Sequence, residues 1–146
     1  MARIEGTDKA EEILTLTAHY DSVPEGPGAY DNMSGAAIIM ELCRYFHAHR
    51  PRRTMEFVWF GAEEKGLLGS QNYIKIHENE LSAHRFNMNV DLAGQLVGGT
   101  VAGVTGDASV CSILTYMAHE SVSECQRRTR YGEVIPMLLH GKESLQ

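Results

Sequence analysis

Two spacings of apolar residues alternate along the chain, one suited to strands and the other to helices. Ile13, Leu14, Leu16 and Ala18 make a short, nearly continuous apolar run that stops at His19, which predicts a buried strand. Upstream, Gly6-Thr7-Asp8 is a turn signal that predicts a hairpin from Arg3–Glu5 into that strand. From Met33 to His47, the residues Ala36, Ile39, Met40, Cys43 and Phe46 recur at helical spacing, and Arg50-Pro51 ends the pattern. Met55–Phe60 is rich in β-forming residues and closes at Gly61, so it reads as a second buried strand, followed by a modest helix from about Ser70 to Asn79. Phe86–Val90 predicts a third strand and Val101–Val104 a further short one. Asp107 is placed to cap a helix reaching about Ser121, with Val110, Ile113, Leu114 and Met117 as its apolar stripe. Strands alternating with helices predict an α/β fold in three layers, a mixed, mostly parallel sheet between helices, as a single domain over residues 1–146.

Composition narrows the function classes. A 43% hydrophobic content supports a real core, and a net charge of −6 provides no basic footprint for nucleic acid. The basic clusters Arg50-Pro51-Arg52-Arg53 and Arg127-Arg128-Thr129-Arg130 read as solvated turns. No apolar run approaches a membrane span, and Met1–Glu5 lacks the apolar stretch of a signal peptide. Cys43, Cys111 and Cys125 are odd in number and lack C-x-x-C spacing, which argues against a disulfide framework and against a cysteine zinc site. Free thiols and the absence of a leader place the expectation in the cytoplasm, or outside the cell if the N-terminus has been trimmed.

The chemistry-bearing residues gather where elements end. His19 and Asp21 stand two apart after the first strand and so share a side of it, and Asp31-Asn32 falls just before the first helix. A neutral imidazole binds zinc through one nitrogen and donates its other N–H to a neighbouring acceptor, so Asp21 is either that partner or a ligand itself. By itself the triplet is also compatible with a half-buried histidine and a turn-forming aspartate. Glu63-Glu64 follows the second strand, where adjacent side chains face different ways, one toward a cation and one into a cleft; a solvated charge pair is the bland alternative. Asp91 ends the third strand, with a capping or turn role as its alternative. Oxygen ligands with one imidazole and no cysteine suit zinc, and also cobalt or manganese.

Four segments taken together, His19-Tyr20-Asp21, Asp31-Asn32-Met33-Ser34-Gly35, Ala62–Ser70 and Asn89-Val90-Asp91, resemble the consecutive signatures of the M28 family of zinc aminopeptidases. The resemblance covers Ile13 to about Gly106 and more loosely the whole chain. It implies a zinc-exopeptidase-like fold, two zinc ions and a peptide substrate, with homo-oligomers left open. In it, Asp31 bridges two ions, one completed by His19 and Asp91 and the other by Glu64, and Asp21 supports His19. It also implies that Glu63 is the general base, taking a proton from the bridging water and passing it to the leaving amine; the bond matching Asp31–Asn32 is often cis in the family. The family's fifth ligand is a histidine; here Val134 stands in its place in Gly132–Met137, with Glu133 and His140 as the nearest substitutes. The chain also lacks the family's opening elements and final strand, as a shortened or divergent member would. Two other classes fit parts of the pattern: a peptidase-like scaffold without turnover, and a single-zinc acyl transferase such as a glutaminyl cyclase.

Overall fold

The computed structural model describes residues 1–94, 102–105, 109–110 and 112–118. Within the span read above as one domain, the chain forms two compact units, residues 1–94 and 95–146. The first holds four strands, β1 (Ala2–Ile4), β2 (Lys9–His19), β3 (Arg53–Phe60) and β4 (His84–Asn89), with the helices α1 (Met33–Ala48) and α2 (Leu68–Ile76) and a 3₁₀ helix at Glu78–Ala83. In the second, residues 109–110 and 112–118 are helical, inside the helix expected from about Asp107 to Ser121; residues 102–104 carry no strand, and Asp107 and Val101 lie outside the described residues. Among the described residues no helix is long and apolar enough to cross a membrane.

The sheet order is β1-β3-β2-β4, with β2 parallel to both of its neighbours and β1 antiparallel to β3. The hairpin expected from Arg3–Glu5 into the Ile13 strand does not form. Both edges of β2 are taken by parallel partners, so the turn at Gly6-Thr7-Asp8 carries β1 across to β3 instead. Hydrogen bonds from Thr7 N–H to the Pro51 carbonyl, and from Asp8 and Lys9 N–H to the Arg52 carbonyl, fix that crossing. They also explain why β2 begins four residues before its apolar run: the polar stretch Lys9–Glu12 is held by the Thr54 hydroxyl, which donates to the Ala10 carbonyl at 2.7 Å, and by the Arg53–Glu12 ion pair.

The sheet has two chemically different faces. On one, Leu14, Leu16 and Ala18 of β2 lie beside Met55, Phe57 and Trp59 of β3, and α1 packs over them through Ala36, Ile39, Leu42, Cys43 and Phe46. The stripe differs from the expected one at a single place, since Met40 is exposed and Leu42 takes its part; a 3.6-residue repeat that starts from Gly35 and Ala36 returns at 39, 42–43 and 46. The core made this way contains Phe57 and Ile39 at 0% exposure.

The other face buries polar residues beside the apolar Ile13 and Val58. Thr15 and Thr17 of β2 bond to His84 and Asn89 of β4, and Glu56 of β3 is 1% exposed. A carboxylate in such a place must be paired. Glu56 accepts from the Arg3 guanidinium at 2.9 Å and from the Tyr73 hydroxyl of α2 at 2.6 Å, so α2 is fastened to the sheet by a hydrogen bond where α1 is fastened by apolar packing. Burial and the adjacent Glu56 carboxylate push the Tyr73 phenol well above its usual range. Tyr73→Phe leaves one Glu56 oxygen without its donor, and the expected result is a loss of about 1–3 kcal/mol, read as a lower urea midpoint at unchanged slope.

Candidate metal centre

The site lies at the rim where β2, β3 and β4 end. Parallel strands finish at one edge of the sheet, so the residues that follow them are brought together however far apart they are in sequence. His19 is the last residue of β2 and 4% exposed. Its Nε2 lies 3.0 Å from Asp31 Oδ1 and 3.5 Å from Asp91 Oδ1, and its Nδ1 lies 3.1 Å from the Asp21 carbonyl oxygen. An N–H on Nδ1, donated to that carbonyl, is the tautomer that leaves the Nε2 lone pair facing the two aspartates.

Among the described residues, ligand-capable atoms form two overlapping groups, His19 with Asp31 and Asp91, and His19 with Glu63 and Glu64, each within 4.8 Å. A donor set of one imidazole and carboxylate oxygens, with the aspartates and Glu64 open to solvent and the imidazole buried, fits zinc chemistry. The two adjacent glutamates sit in the turn after β3 and, although their carboxylates share one ligand-capable group, they line different cavities. Glu63 lines a cavity of about 190 Å³ with Thr17, His19, Phe60, Ser70 and Asp91, and Glu64 lines a second of about 220 Å³ with Asp31 and the Ser22–Tyr30 loop.

Asp21 does more than support the imidazole. Its carboxylate is 3.6 Å from His19 Nδ1, and its two oxygens accept from Glu63 N–H at 3.1 Å and Glu64 N–H at 3.3 Å. The histidine therefore leans on the Asp21 backbone while the Asp21 side chain holds the glutamate turn. Burial pushes the Asp21 carboxyl up, but the two N–H donors outweigh it and leave the pKa below its ordinary value.

Charge crowding shifts the neighbours as well. For His19 burial acts downward, and Asp91, Glu63, the Asp21 carbonyl and Asp31 together overcome it, so the imidazole pKa is raised. Burial, then Asp31 and Glu63, push the Glu64 carboxyl up. A cluster of acids that raises the pKa of its own members favours a cation.

The backbone is strained in the same place. Ala62, Leu67 and Leu92 have φ of 56°, 61° and 49°, and they flank Glu63-Glu64 and Asp91. Left-handed backbone at a residue with a side chain costs about 1–3 kcal/mol and gathers at functional sites. Close packing holds the turn: a Cβ on Gly69, in the first turn of α2, would come within 2.3 Å of the Gly61 carbonyl oxygen, so α2 presses directly on the end of β3. The Asp31–Asn32 peptide is cis, in keeping with the resemblance.

All six residues singled out in the sequence, His19, Asp21, Asp31, Glu63, Glu64 and Asp91, thus meet at one rim. Val134, Glu133 and His140 lie outside the described residues. Sequence reading passed over Asn32 as a residue in its own right, although a polar residue immediately before a helical pattern is a capping signal.

Acids and one imidazole gathered at the strand ends of an α/β sheet make a candidate metal centre. The sequence model of Peptidase family M28 matches residues 1–133, and the chain belongs to that family. It is 44% identical over 87 residues to aminopeptidase YwaD of Bacillus subtilis, a match covering 59% of this chain and 19% of that protein. Over 121 residues it is 35% identical to a vacuolar membrane protease of Saccharomyces cerevisiae, covering 83% of this chain and 12% of the relative. A peptidase M28 precursor from Shewanella amazonensis superposes with a TM-score of 0.65 at 33% identity, over 80% of this chain and 27% of that one. The aminopeptidase from Aneurinibacillus sp. strain AM-1 does so with a TM-score of 0.64 at 29% identity, over 70% and 26%. The chain spans at most about a quarter of the length of these relatives.

Proposed function

We propose that this chain carries the metal-binding rim of a zinc exopeptidase that removes N-terminal residues from peptides. The observation that supports this most is the convergence of His19 Nε2 on Asp31 and Asp91, 3.0 and 3.5 Å away, from three separate segments of the chain. His19, Asp31 and Asp91 would hold one ion, and Glu64 a second, with Asp31 serving both. Bound zinc supplies Lewis-acid polarisation of a carbonyl and brings the pKa of a water near neutrality.

The other tasks fall to the chain itself. His19 would offer Nε2 to the ion while its Nδ1–H donates a hydrogen bond to the Asp21 carbonyl. Asp21 holds the Glu63-Glu64 turn through two N–H groups, so the Glu63 carboxylate is fixed over the cavity beside His19 and Asp91. From there Glu63 takes the proton of the attacking water and hands it to the departing amine. Two relatives named as aminopeptidases support cleavage at the N-terminal residue over internal cleavage.

The test is zinc content and hydrolysis by the 146-residue chain after zinc is supplied. The expected outcome is about two ions per chain, with aminoacyl p-nitroanilides cleaved and their N-acetylated counterparts left intact. Equal cleavage of both would remove the N-terminal preference, and a chain that binds no zinc would remove the metal centre.

A further inference from the structure

Among the described residues, Asn32 is the one fully buried polar side chain that touches the segments carrying two of the acids, and no step of the chemistry uses it. Every hydrogen bond its amide makes goes to backbone. Oδ1 accepts from Gly35 N–H at 3.0 Å, which caps α1, and from Leu92 N–H at 3.3 Å; Nδ2 donates to the Val90 carbonyl at 3.0 Å. Val90 and Leu92 are the two neighbours of Asp91, and Asn32 itself is the neighbour of Asp31. One side chain therefore grips the backbone on both sides of one aspartate while it is covalently joined to the other.

The fit around this amide is tight. A Cβ on Gly35 would come within 2.2 Å of the Val90 carbonyl oxygen and 2.6 Å of Asn32 Oδ1, so α1 docks directly on the end of β4. The donor pattern is also specific: the site offers two N–H groups and one carbonyl, which a carboxamide matches with its oxygen and its nitrogen. A capping residue needs only the Gly35 bond. The other two reach across 58 and 60 residues and do nothing for the helix.

We propose that Asn32 is a positioning residue that sets the spacing of the Asp31 and Asp91 carboxylates and thereby the zinc affinity of the rim. The effect on affinity rests on the metal-centre reading; the clamp itself does not. Outer partners that orient metal ligands are typically worth about 10–100-fold in affinity.

Asn32→Ser separates the two jobs, because serine caps a helix about as well as asparagine and is too short to reach Val90 and Leu92. Two quantities are read on the full chain. In metal-free protein, amide exchange at Leu92 is expected to speed up at least about tenfold while the helical circular dichroism stays unchanged. With zinc, competition against a chromogenic chelator is expected to show affinity lower by about 10–100-fold. Unaltered Leu92 exchange in Asn32→Ser overturns the clamp, and so does exchange at the free-peptide rate in the wild type, a measurement that needs no variant. Faster exchange with unchanged zinc affinity overturns the control of spacing. A wild-type chain that binds no zinc, with Leu92 responding as stated, supports the clamp and overturns the metal-centre reading.

Discussion

Glu63→Gln is expected to lower hydrolysis by about 10²–10⁴-fold while leaving zinc binding within about twofold of wild type. The amide is nearly isosteric with the carboxylate, so the cavity beside Thr17, Phe60 and Ser70 keeps its shape. The backbone that Asp21 holds is also untouched, because Asp21 accepts from the Glu63 and Glu64 N–H groups and not from their side chains. The variant removes only the group able to hold a proton. Steady-state kinetics on an aminoacyl p-nitroanilide should show the loss in kcat with KM little changed, the pattern of an interaction made in the transition state alone. A Glu63→Gln enzyme of normal kcat would refute Glu63 as the base. A loss of zinc in that variant would make it a ligand instead, a role within reach because Glu63 shares a ligand-capable group with His19 and Glu64.

His19→Ala is expected to lower zinc affinity by more than the roughly 10–100-fold typical of an outer partner, since it deletes the only imidazole in both ligand-capable groups. Chelator competition measures this directly. The same variant carries a second signature in metal-free protein. Because the folded-state pKa of His19 is raised from 6.5 by the surrounding acids, the protonated ring stabilises the fold below pH 6.5, and that contribution is lost as pH rises through the raised value. The wild type should therefore lose stability relative to His19→Ala over that window, and the difference between them should level off above it. Thermal midpoints of both proteins in chelator, measured across the window, test this; parallel curves would mean that the acids do not stabilise the imidazolium.

Local pattern determined a good deal here. The runs ending at His19 and Phe60 and the helical stripe from Met33 are set by residues a few positions apart, and the strands and helix formed where that pattern put them. The positions of His19, Asp31, Glu63-Glu64 and Asp91 at the ends of elements were legible for the same reason. What was not legible depended on partners far away in the chain. Arg3–Glu5 looked like half of a hairpin, but β2 had already given both its edges to β3 and β4. The apolar run at Ile13 hid the strand's true start at Lys9, because the bonds that hold Lys9–Glu12 come from residues 52–54. Thr15 and Thr17 lie inside the apolar run, and the sheet buries them beside Glu56 and bonds them to His84 and Asn89 of β4.

The site divides the same way. By itself the sequence determined which side chains would sit at the strand ends, because that is a matter of period and of where apolar runs stop. Only the tertiary structure decided what those side chains hold: that the Asp21 carboxylate serves the Glu63-Glu64 turn while its carbonyl serves His19, and that Asn32, the neighbour of Asp31, joins the start of α1 to the backbone around Asp91. The physical reason is that hydrophobic burial acts through periodicity and leaves a trace along the chain. A hydrogen bond between residues some 40 to 60 apart is fixed by direction and by tenths of an ångström, which the packing of distant segments sets and no local pattern records.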